Sequence, residues 1–363
     1  MKAGQIRHFF AGGNTGVGFH SFYDQVVGPG PDHIYILKGG PGTGKSTFMK
    51  QIGEALLAHG FDLEYLHCSS DHNSLDGLLI PALKTAFLDG TAPHTIDPVS
   101  PGAVDEIIDL GVFWDSKALK ANQSRIVETG KKKKACFERA YVYLNAALGL
   151  YRHWRKTNYS CLNQEAWLSA LHEIKADLFA GCQPTGRQGR LRHLFASAIT
   201  ANGPVHYLES LGGAATRLYI LEGPPGTGRD EILKRLVTTA VDLGRDVEVF
   251  HCALDPAKYD HLWLPDHKAA VFTSTWPHQY PPGGDRRCRY IATGAFLQPE
   301  RGLDNDTREE FRLVFLTLWE KALSWLGQAK RFHQDLEALY IARMDFNRLT
   351  QLRNSILHRL LQR

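Results

Sequence analysis

A glycine-rich segment near the N-terminus has the spacing of a phosphate-binding loop. Residues 39–46 fit the pattern G-x-x-x-x-G-K-S/T and consist of Gly39, Gly40, Pro41, Gly42, Thr43, Gly44, Lys45 and Ser46. Glycines let such a loop curl until successive backbone N–H groups point inward, where they and the next helix N-terminus attract an anion. The apolar strand expected before the loop and the helix expected after it are the context this motif requires. The loop therefore predicts a site for the phosphates of a nucleotide.

Side chains at the end of the loop supply the other groups that this chemistry needs. We expect Lys45 to reach the β- and γ-phosphates and the Ser46 hydroxyl to bind the Mg²⁺ ion that bridges them. Thr47 follows, where similar loops contact the α-phosphate. No N-K-x-D sequence of the kind that reads guanine is present. The predicted ligands are therefore ATP and Mg²⁺.

An acidic residue that ends a neighbouring strand is the usual partner of such a loop, and Asp89 fits this role. It follows the apolar run Ala86-Phe87-Leu88 and precedes Gly90-Thr91. The chain thus lacks the adjacent glutamate of many AAA-type ATPases, and the group that activates water stays unassigned. We predict that Asp89 supports Mg²⁺ and that it is catalytic together with Lys45.

The sequence repeats itself at an offset of about 184 residues, which indicates a duplicated architecture. We divide the chain into residues 1–184 and 185–363. The matched segments include Tyr35-Ile36-Leu37 with Tyr219-Ile220-Leu221, His67-Cys68 with His251-Cys252, Asp71 with Asp255, Asp76 with Asp260, and Pro93-His94 with Pro277-His278.

The second loop, residues 223–228, keeps the glycines of the turn but loses the groups that do chemistry. One of the replacements puts the carboxylate of Asp230 at the position of the Mg²⁺-binding hydroxyl, where the negative charge of a phosphate would repel it. We interpret the second half as a degenerate nucleotide fold and the first half as the active one, and the alternative is a second site of altered specificity. The replacements are Lys45 to Arg229, Ser46 to Asp230 and Asp89 to Thr273.

The comparison between the halves selects three further residues. Ser69 and Ser70 follow a predicted strand, where α/β proteins bind ligands, and the second half has alanine and leucine there. We assign both serines to contacts with the γ-phosphate or a substrate. Asp71 is retained in both halves, which favours a structural role. Its position beside the serines also makes it a candidate general base.

Two other groups of residues are interpreted as structural. His67 and Cys68 are neighbours on a predicted strand and point to opposite faces, which argues against a metal cluster. The run of lysines at 131–134 is interpreted as a solvated helix start. Its less favoured alternative is a surface for an acidic partner or nucleic acid.

The order of apolar segments predicts an α/β fold. In each half, strands alternate with helices, which predicts a parallel sheet flanked by helices. Broad apolar stripes at 141–178 and 311–360 then predict an added long antiparallel helical hairpin per half. The apolar faces of these hairpins have three alternative packing partners: the sheet of their own half, the other hairpin, or the interface with a second copy of the chain (a homodimer) or another protein partner.

Composition and charge limit the class of protein. The chain has 363 residues, is 43% apolar and has a formal net charge of +4, which is too weak to argue for a nucleic-acid partner. No apolar run is long enough to span a membrane. The six cysteines contain no C-x-x-C pair, so we expect reduced thiols in a cytoplasmic protein.

With both loops considered, the chain resembles a family of bacterial tandem P-loop proteins, usually described only as ATPases or nucleotide kinases. The resemblance is carried by residues 39–47, 68–77 and 88–94, by His333 and by Met344-Asp345-Phe346. The resemblance extends over nearly the whole chain, and it implies a P-loop NTPase fold and ATP binding. It implies no substrate.

These observations lead to one principal hypothesis and two alternatives. We expect an ATPase that hydrolyses ATP with Mg²⁺ at the N-terminal site, while the degenerate half serves as a scaffold or regulator. The first alternative is a kinase for a nucleotide or small metabolite, with Ser69, Ser70 and Asp71 facing the acceptor. The second is a non-enzymatic switch in which ATP orders the hairpins for a partner.

Overall fold

Two mixed sheets of six strands each, mostly parallel and flanked by helices, form an α/β scaffold. The computed structural model describes residues 4–26, 31–92, 95–276, 279–280, 287–298 and 304–363. The matched pairs Pro93-His94 and Pro277-His278 lie outside the described residues.

The strands of the two halves correspond one to one. Those of the first half are β1 (Ile6–Phe9), β2 (Gly12–Thr15), β3 (Gly18–Ser21), β4 (His33–Lys38), β5 (Leu63–His67), β6 (Leu75–Ile80), β7 (Thr85–Asp89) and β8 (Asp105–Asp109). Those of the second half are β9 (Leu191–Leu194), β10 (Ser197–Thr200), β11 (Gly203–His206), β12 (Arg217–Glu222), β13 (Val247–His251), β14 (Tyr259–Leu264), β15 (Ala269–Ser274) and β16 (Cys288–Ala292).

Both large sheets have the same strand order. It is β1-β5-β6-β7-β4-β8 in the first half and β9-β13-β14-β15-β12-β16 in the second. The pairs β2–β3 and β10–β11 form separate small hairpins.

The sheets differ from the expected parallel sheets in one strand each. The strand β6 runs antiparallel to β5 and β7, and β14 does the same in the second half. The links on either side of β6 are residues 68–74 and 81–84. A parallel connection needs a crossover of about a dozen residues or more. These short links therefore force a reversal of direction.

Nine α-helices surround the sheets in the described part of the chain. Several begin at an Asp or Asn side chain that accepts backbone N–H groups of the first turn, as Asn163 and Asp345 do. The helices are α1 (Tyr23–Val26), α2 (Lys45–Ala58), α3 (Ser116–Ala121), α4 (Gln123–Ser160), α5 (Gln164–Leu178), α6 (Leu208–Gly212), α7 (Arg229–Asp242), α8 (Asn305–Ile341) and α9 (Phe346–Leu361). None of them is long and apolar enough to cross a membrane.

The long helices pack differently from the expected hairpins. The antiparallel partner of α4 is α8 of the other half, as the contacts Lys133–His333, Arg139–Trp325 and His153–Phe311 show. The short helix of each pair then joins the core of the opposite half. Trp167 and Ile174 of α5 pack with the second sheet, whereas Leu349 and Ile356 of α9 pack with the first. The two halves thus exchange their helix pairs.

Four charged side chains join the edges of the two large sheets. Arg7 and Arg192 each pair with both Glu64 and Glu248; the Arg7–Glu64 contact is 3.0 Å and the Arg192–Glu64 contact is 2.8 Å. Burial alone would raise the pKa of Glu248, but the two arginines outweigh burial and lower it. The network therefore holds the buried carboxylate of Glu248 in its charged form.

A pair of histidines lies next to this network in each half. In the first half, His8 Nδ1 lies 2.8 Å from His67 Nε2, and His67 Nδ1 lies 2.7 Å from the His72 carbonyl oxygen. In the second half, His193 and His251 repeat the contact at 2.8 Å. Burial lowers the pKa of His67 and of His251 to about 4. Both rings are therefore neutral in the folded protein near neutral pH.

This arrangement predicts that acid destabilises the fold before most carboxylates titrate. Between pH 6.5 and pH 5 the unfolded chain binds protons at these positions and the folded chain does not, so stability falls as pH falls. The loss is about 2 kcal/mol per histidine at 1.36 kcal/mol per pKa unit. Urea unfolding at pH 7, 6 and 5 measures it. The variant His67→Gln/His251→Gln should show a flatter pH dependence, and an unchanged slope in this variant would contradict the assignment.

Candidate functional site

The glycine-rich loop of the first half joins β4 to α2, as the sequence predicts. Gly42 and Gly44 have φ values of 70° and 89°, a region that side chains disfavour. The Thr43 hydroxyl donates to the Gly40 carbonyl oxygen at 2.8 Å and closes the turn. The loop thus leads directly into the N-terminus of a 14-residue helix, which favours an anion at this point.

The ammonium group of Lys45 lies inside the curl of the loop. Its Nζ donates to the carbonyl oxygens of Gly39 and Gly40, both at 2.9 Å, and lies 3.6 Å from Asp89 Oδ2. The strand-end carboxylate that the sequence analysis assigns to Mg²⁺ therefore lies beside the loop lysine. These contacts hold the charge where a phosphate group would compete for it.

The other predicted loop residues differ in exposure. The Ser46 hydroxyl accepts a hydrogen bond from the Leu75 N–H at 2.9 Å, which ties the start of α2 to β6. Thr47 is exposed in the first turn of α2, while Pro41 is half-buried. Thr47 is thus accessible to a ligand, and Ser46 already has one partner.

Asp89 ends β7 in a buried position beside the loop. Burial raises the pKa of Asp89, and the charge of Asp76 adds to this effect, while Lys45 and Thr91 oppose it. The Thr91 N–H donates to Asp89 Oδ1 at 2.9 Å. Two carboxylates near one ammonium leave negative charge that a divalent cation would neutralise.

The residues after β5 divide into two roles. Ser69 is buried and Ser70 is half-buried, both at the carboxyl edge of the sheet. Asp71 instead accepts from Lys330 Nζ and from the Ser74 hydroxyl, both at 3.1 Å. Burial would raise the pKa of Asp71, but these two partners lower it. Asp71 thus ties α8 to the first half.

The exchanged helices of the second half cover the outer side of the first loop. If Gly40 carried a side chain, its Cβ atom would lie 2.8 Å from the Tyr340 ring, and a Cβ atom at Gly42 would lie 2.7 Å from the Glu337 carbonyl oxygen. Both distances are too short for a Cβ atom, so α8 packs directly on these glycines. A Cβ atom at Gly44 would lie 3.0 Å from the Leu349 side chain of α9. The first loop is therefore shaped by helices that come from the other end of the chain.

One member of the lysine run faces this site, contrary to the interpretation of the run as solvated. Lys131, Lys132 and Lys134 are exposed, whereas Lys133 is half-buried, with Nζ 3.5 Å from His333 Nδ1. Burial is the main cause of the lowered pKa of Lys133, and repulsion from Lys45 adds to it.

A sequence signal for Lys133 does exist. It lies four residues before Phe137 and seven before Ala140, so it shares the inward face of α4. The four consecutive lysines conceal this spacing.

The second loop keeps the same turn around a buried guanidinium. Gly226 and Gly228 have φ values of 85° and 76°, and Thr227 Oγ1 donates to the Pro224 carbonyl oxygen at 3.1 Å. Arg229, only 2% exposed, donates to that oxygen at 3.3 Å, whereas its Nη1 lacks a hydrogen-bond partner. Burial lowers the pKa of Arg229.

An internal charge network occupies the position that corresponds to Ser46. Asp230 accepts from the Tyr259 N–H at 2.7 Å, which repeats the contact between Ser46 and Leu75. Its other oxygen pairs with Arg155 of α4 at 2.8 Å and with Lys234 at 2.9 Å. The second half thus satisfies its carboxylate with its own cations.

The remaining cover of the second loop also comes from the exchanged helices. Asn158 donates to the Pro225 carbonyl oxygen at 2.6 Å, and Trp167 Nε1 donates to the Gly228 carbonyl oxygen at 2.9 Å. Thr273, at the position of Asp89, is fully buried. These contacts hold α4 and α5 firmly on the second loop.

No three His, Cys, Asp or Glu side chains converge as a metal site in the described parts of the chain. The Ser46 hydroxyl and the Asp89 carboxylate offer hard oxygen ligands, and Mg²⁺ is commonly held by one or two such groups together with phosphate oxygens. The residues of the first loop fit this ion.

Comparisons with protein-family models, curated proteins and solved structures find no match to this chain. The assignment of the site therefore depends on its geometry.

The network around Asp230 predicts unequal costs for matched substitutions in the two loops. Asp230→Ala leaves the Tyr259 N–H without its acceptor and Arg155 with only Glu231 and the more distant Asp255, and it should lower the free energy of unfolding by about 3 kcal/mol. Ser46→Ala removes one neutral hydrogen bond and should cost about 1 kcal/mol. Urea unfolding measures both. Adding Arg155→Met should recover part of the Asp230→Ala loss, and equal losses at the two loops would argue against the network.

Proposed function

We propose that the first half binds ATP with Mg²⁺ at residues 39–47 and hydrolyses it, and that the second half is a degenerate copy. The proposal rests on one observation. Lys45, Ser46 and Asp89 come together at the carboxyl edge of β4 and β7, whereas the corresponding positions of the second half are filled by a buried arginine and an internal ion-pair network.

The finer fold assignment is part of this proposal. We infer a duplicated P-loop NTPase fold, supported by the identical strand order of the two sheets and by the strand-loop-helix setting of both loops. None of the six cysteines, all of which lie in the described residues, forms a disulfide, which supports the proposal of a cytoplasmic location.

The chain contributes charge and position to the reaction. Ser46 and Asp89 would hold Mg²⁺, which would supply positive charge to the phosphate groups. The ammonium of Lys45 exchanges the two carbonyl oxygens of the loop for phosphate oxygens. The backbone N–H groups of the loop stabilise negative charge without having to reorganise.

Lys133 supplies a second cation near the transferred group. It extends from α4 to within 3.5 Å of His333 Nδ1 on α8, one turn before Glu337, whose carbonyl oxygen lies against Gly42 of the loop. Repulsion from Lys45 contributes to the lowered pKa of Lys133. Such repulsion is relieved when an anion enters between them. We assign to Lys133 the role that an arginine often fills in such enzymes, which is to stabilise charge on the γ-phosphoryl group in the transition state.

The first test compares equivalent substitutions in the two loops. Lys45→Met should reduce ADP production at least about 100-fold, because it removes the ammonium from the transferred phosphoryl group. Arg229→Met is the matched control and should retain most activity. The measurement is ADP release with ATP and Mg²⁺ and no acceptor.

Three outcomes of this test would redirect the proposal. Full loss of activity with Arg229→Met would refute an inert second loop. ADP release only after a phosphoryl acceptor is added would favour the kinase alternative. Unchanged ADP release with Lys45→Met would refute the site itself.

The second test concerns Lys133. Lys133→Ala should lower kcat about 100-fold while ATP affinity changes by less than about threefold, since its charge acts mainly in the transition state. Lys131→Ala, two residues earlier and exposed, is the matched control and should behave as wild type. Equal kcat values for the two variants would remove Lys133 from the site.

The packing of α8 and α9 favours one further candidate function. Because Tyr340 and Glu337 contact the loop glycines, a bound nucleotide could shift the long helices without being hydrolysed. In this case the protein is an ATP-dependent switch. Tight ATP binding with no ADP release by wild type would support the switch over the ATPase.

A further inference from the structure

A cavity of about 410 Å³ lies in the second half, away from the proposed ATP site. It is placed at the edge of the sheet where β13 and β15 end and β14 begins, between the sheet and the two long helices α4 and α8. Its walls are mainly apolar and aromatic. They include Trp154, Ala253, Leu254, Trp276, Phe315 and Trp319.

The cavity occupies the place where the first half has its polar groups. Ala253 and Leu254 correspond to Ser69 and Ser70 after the matching strand. The helices of the two halves can be aligned at the N-caps Asn163 and Asp345, because each of these residues donates its N–H to the carbonyl oxygen of a phenylalanine. In this alignment, Phe315 of α8 corresponds to Lys133 of α4. The cations and hydroxyls of one site are thus replaced by apolar groups in the other.

Two buried donors in the cavity wall have no hydrogen-bond partner. Ser197 is 3% exposed, and its Oγ is unpaired, as is Trp154 Nε1. A buried polar group without a partner costs about 1 to 3 kcal/mol. Native interiors seldom leave both such groups and a void of this size without a purpose.

The charges around the cavity favour an anion. Lys258 and Asp260 form a buried ion pair in the wall. The buried Arg229 lies near the same side chains, so cations outnumber carboxylates there. Arg312, which is paired with Glu309 at 2.7 Å, lies at the mouth beside Trp276, which is 47% exposed.

We propose that this cavity binds a small aromatic carboxylate, with its ring between the tryptophans and its carboxylate on the unpaired donors. Cavities of about 300 Å³ and above, apolar with a few convergent polar groups, are typical of small-molecule sites. The site is independent of ATP binding in the first half. The second half has thus exchanged a phosphate site for an apolar one.

The test uses 2-naphthoate as the probe and isothermal titration calorimetry on the full chain. Wild type should bind one equivalent. Ala253→Phe fills the cavity and should weaken binding at least about tenfold, since the ring takes the space of the ligand. Ser197→Ala removes one donor and should weaken it about fivefold. Ala146→Phe adds the same ring at an exposed position of α4 and should change nothing.

The outcomes are separable from those for the ATP site. Lys45→Met should bind 2-naphthoate as wild type does, whatever happens to ATP hydrolysis. The proposal is overturned if wild type shows no binding at millimolar probe, or if Ala253→Phe and Ser197→Ala, both folded by circular dichroism, bind as tightly as Ala146→Phe. Should Ala253→Phe fail to fold, the Ser197→Ala result decides.

Discussion

Each glycine-rich loop in this protein is supported by a helix that belongs to the other half of the chain. Tyr340 and Glu337 contact the first loop, and Asn158 and Trp167 bond to the second. This contact requires glycine at the loop and a long helix that crosses between the halves. The antiparallel pairing of α4 with α8, and the mixed ion network at the sheet edges, keep both helices in place.

The contrast between the loops follows from the same packing. When α4 and α8 are aligned through the N-caps Asn163 and Asp345, Arg155 and Glu337 occupy equivalent positions. Arg155 lies at the second loop, and Glu337 lies at the first. An arginine neutralises the carboxylate of Asp230 and makes the second loop self-sufficient. A glutamate adds no cation to the first loop, so Lys45 and the helix N-terminus are the positive groups that the loop itself offers to an anion.

Local features of the site could be predicted from the sequence, and long-range features could not. The loop, the helix after it and the strand that ends at Asp89 each depend on residues close in sequence, and all three are present. The antiparallel strand β6 does not follow from the sequence, because Asp76-Gly77 is typical of a turn, although both residues lie inside this strand. Lys133 was misread because its environment is made by α8, some 200 residues later. The exchange of the helix pairs likewise cannot be recognised in the sequence. An apolar stripe shows that one face of a helix is buried, but it does not indicate which of the two sheets that face packs against.

The exchange also has a consequence for how the chain is made. The hydrophobic core of the first sheet includes Leu349, Ile356 and Leu360, which lie more than 200 residues after the strands that they cover. The N-terminal half therefore cannot close its core until α9 has been synthesised, and contacts of such wide separation slow folding. Until then, the apolar surface that awaits α9 stays open to chaperones and to other nascent chains.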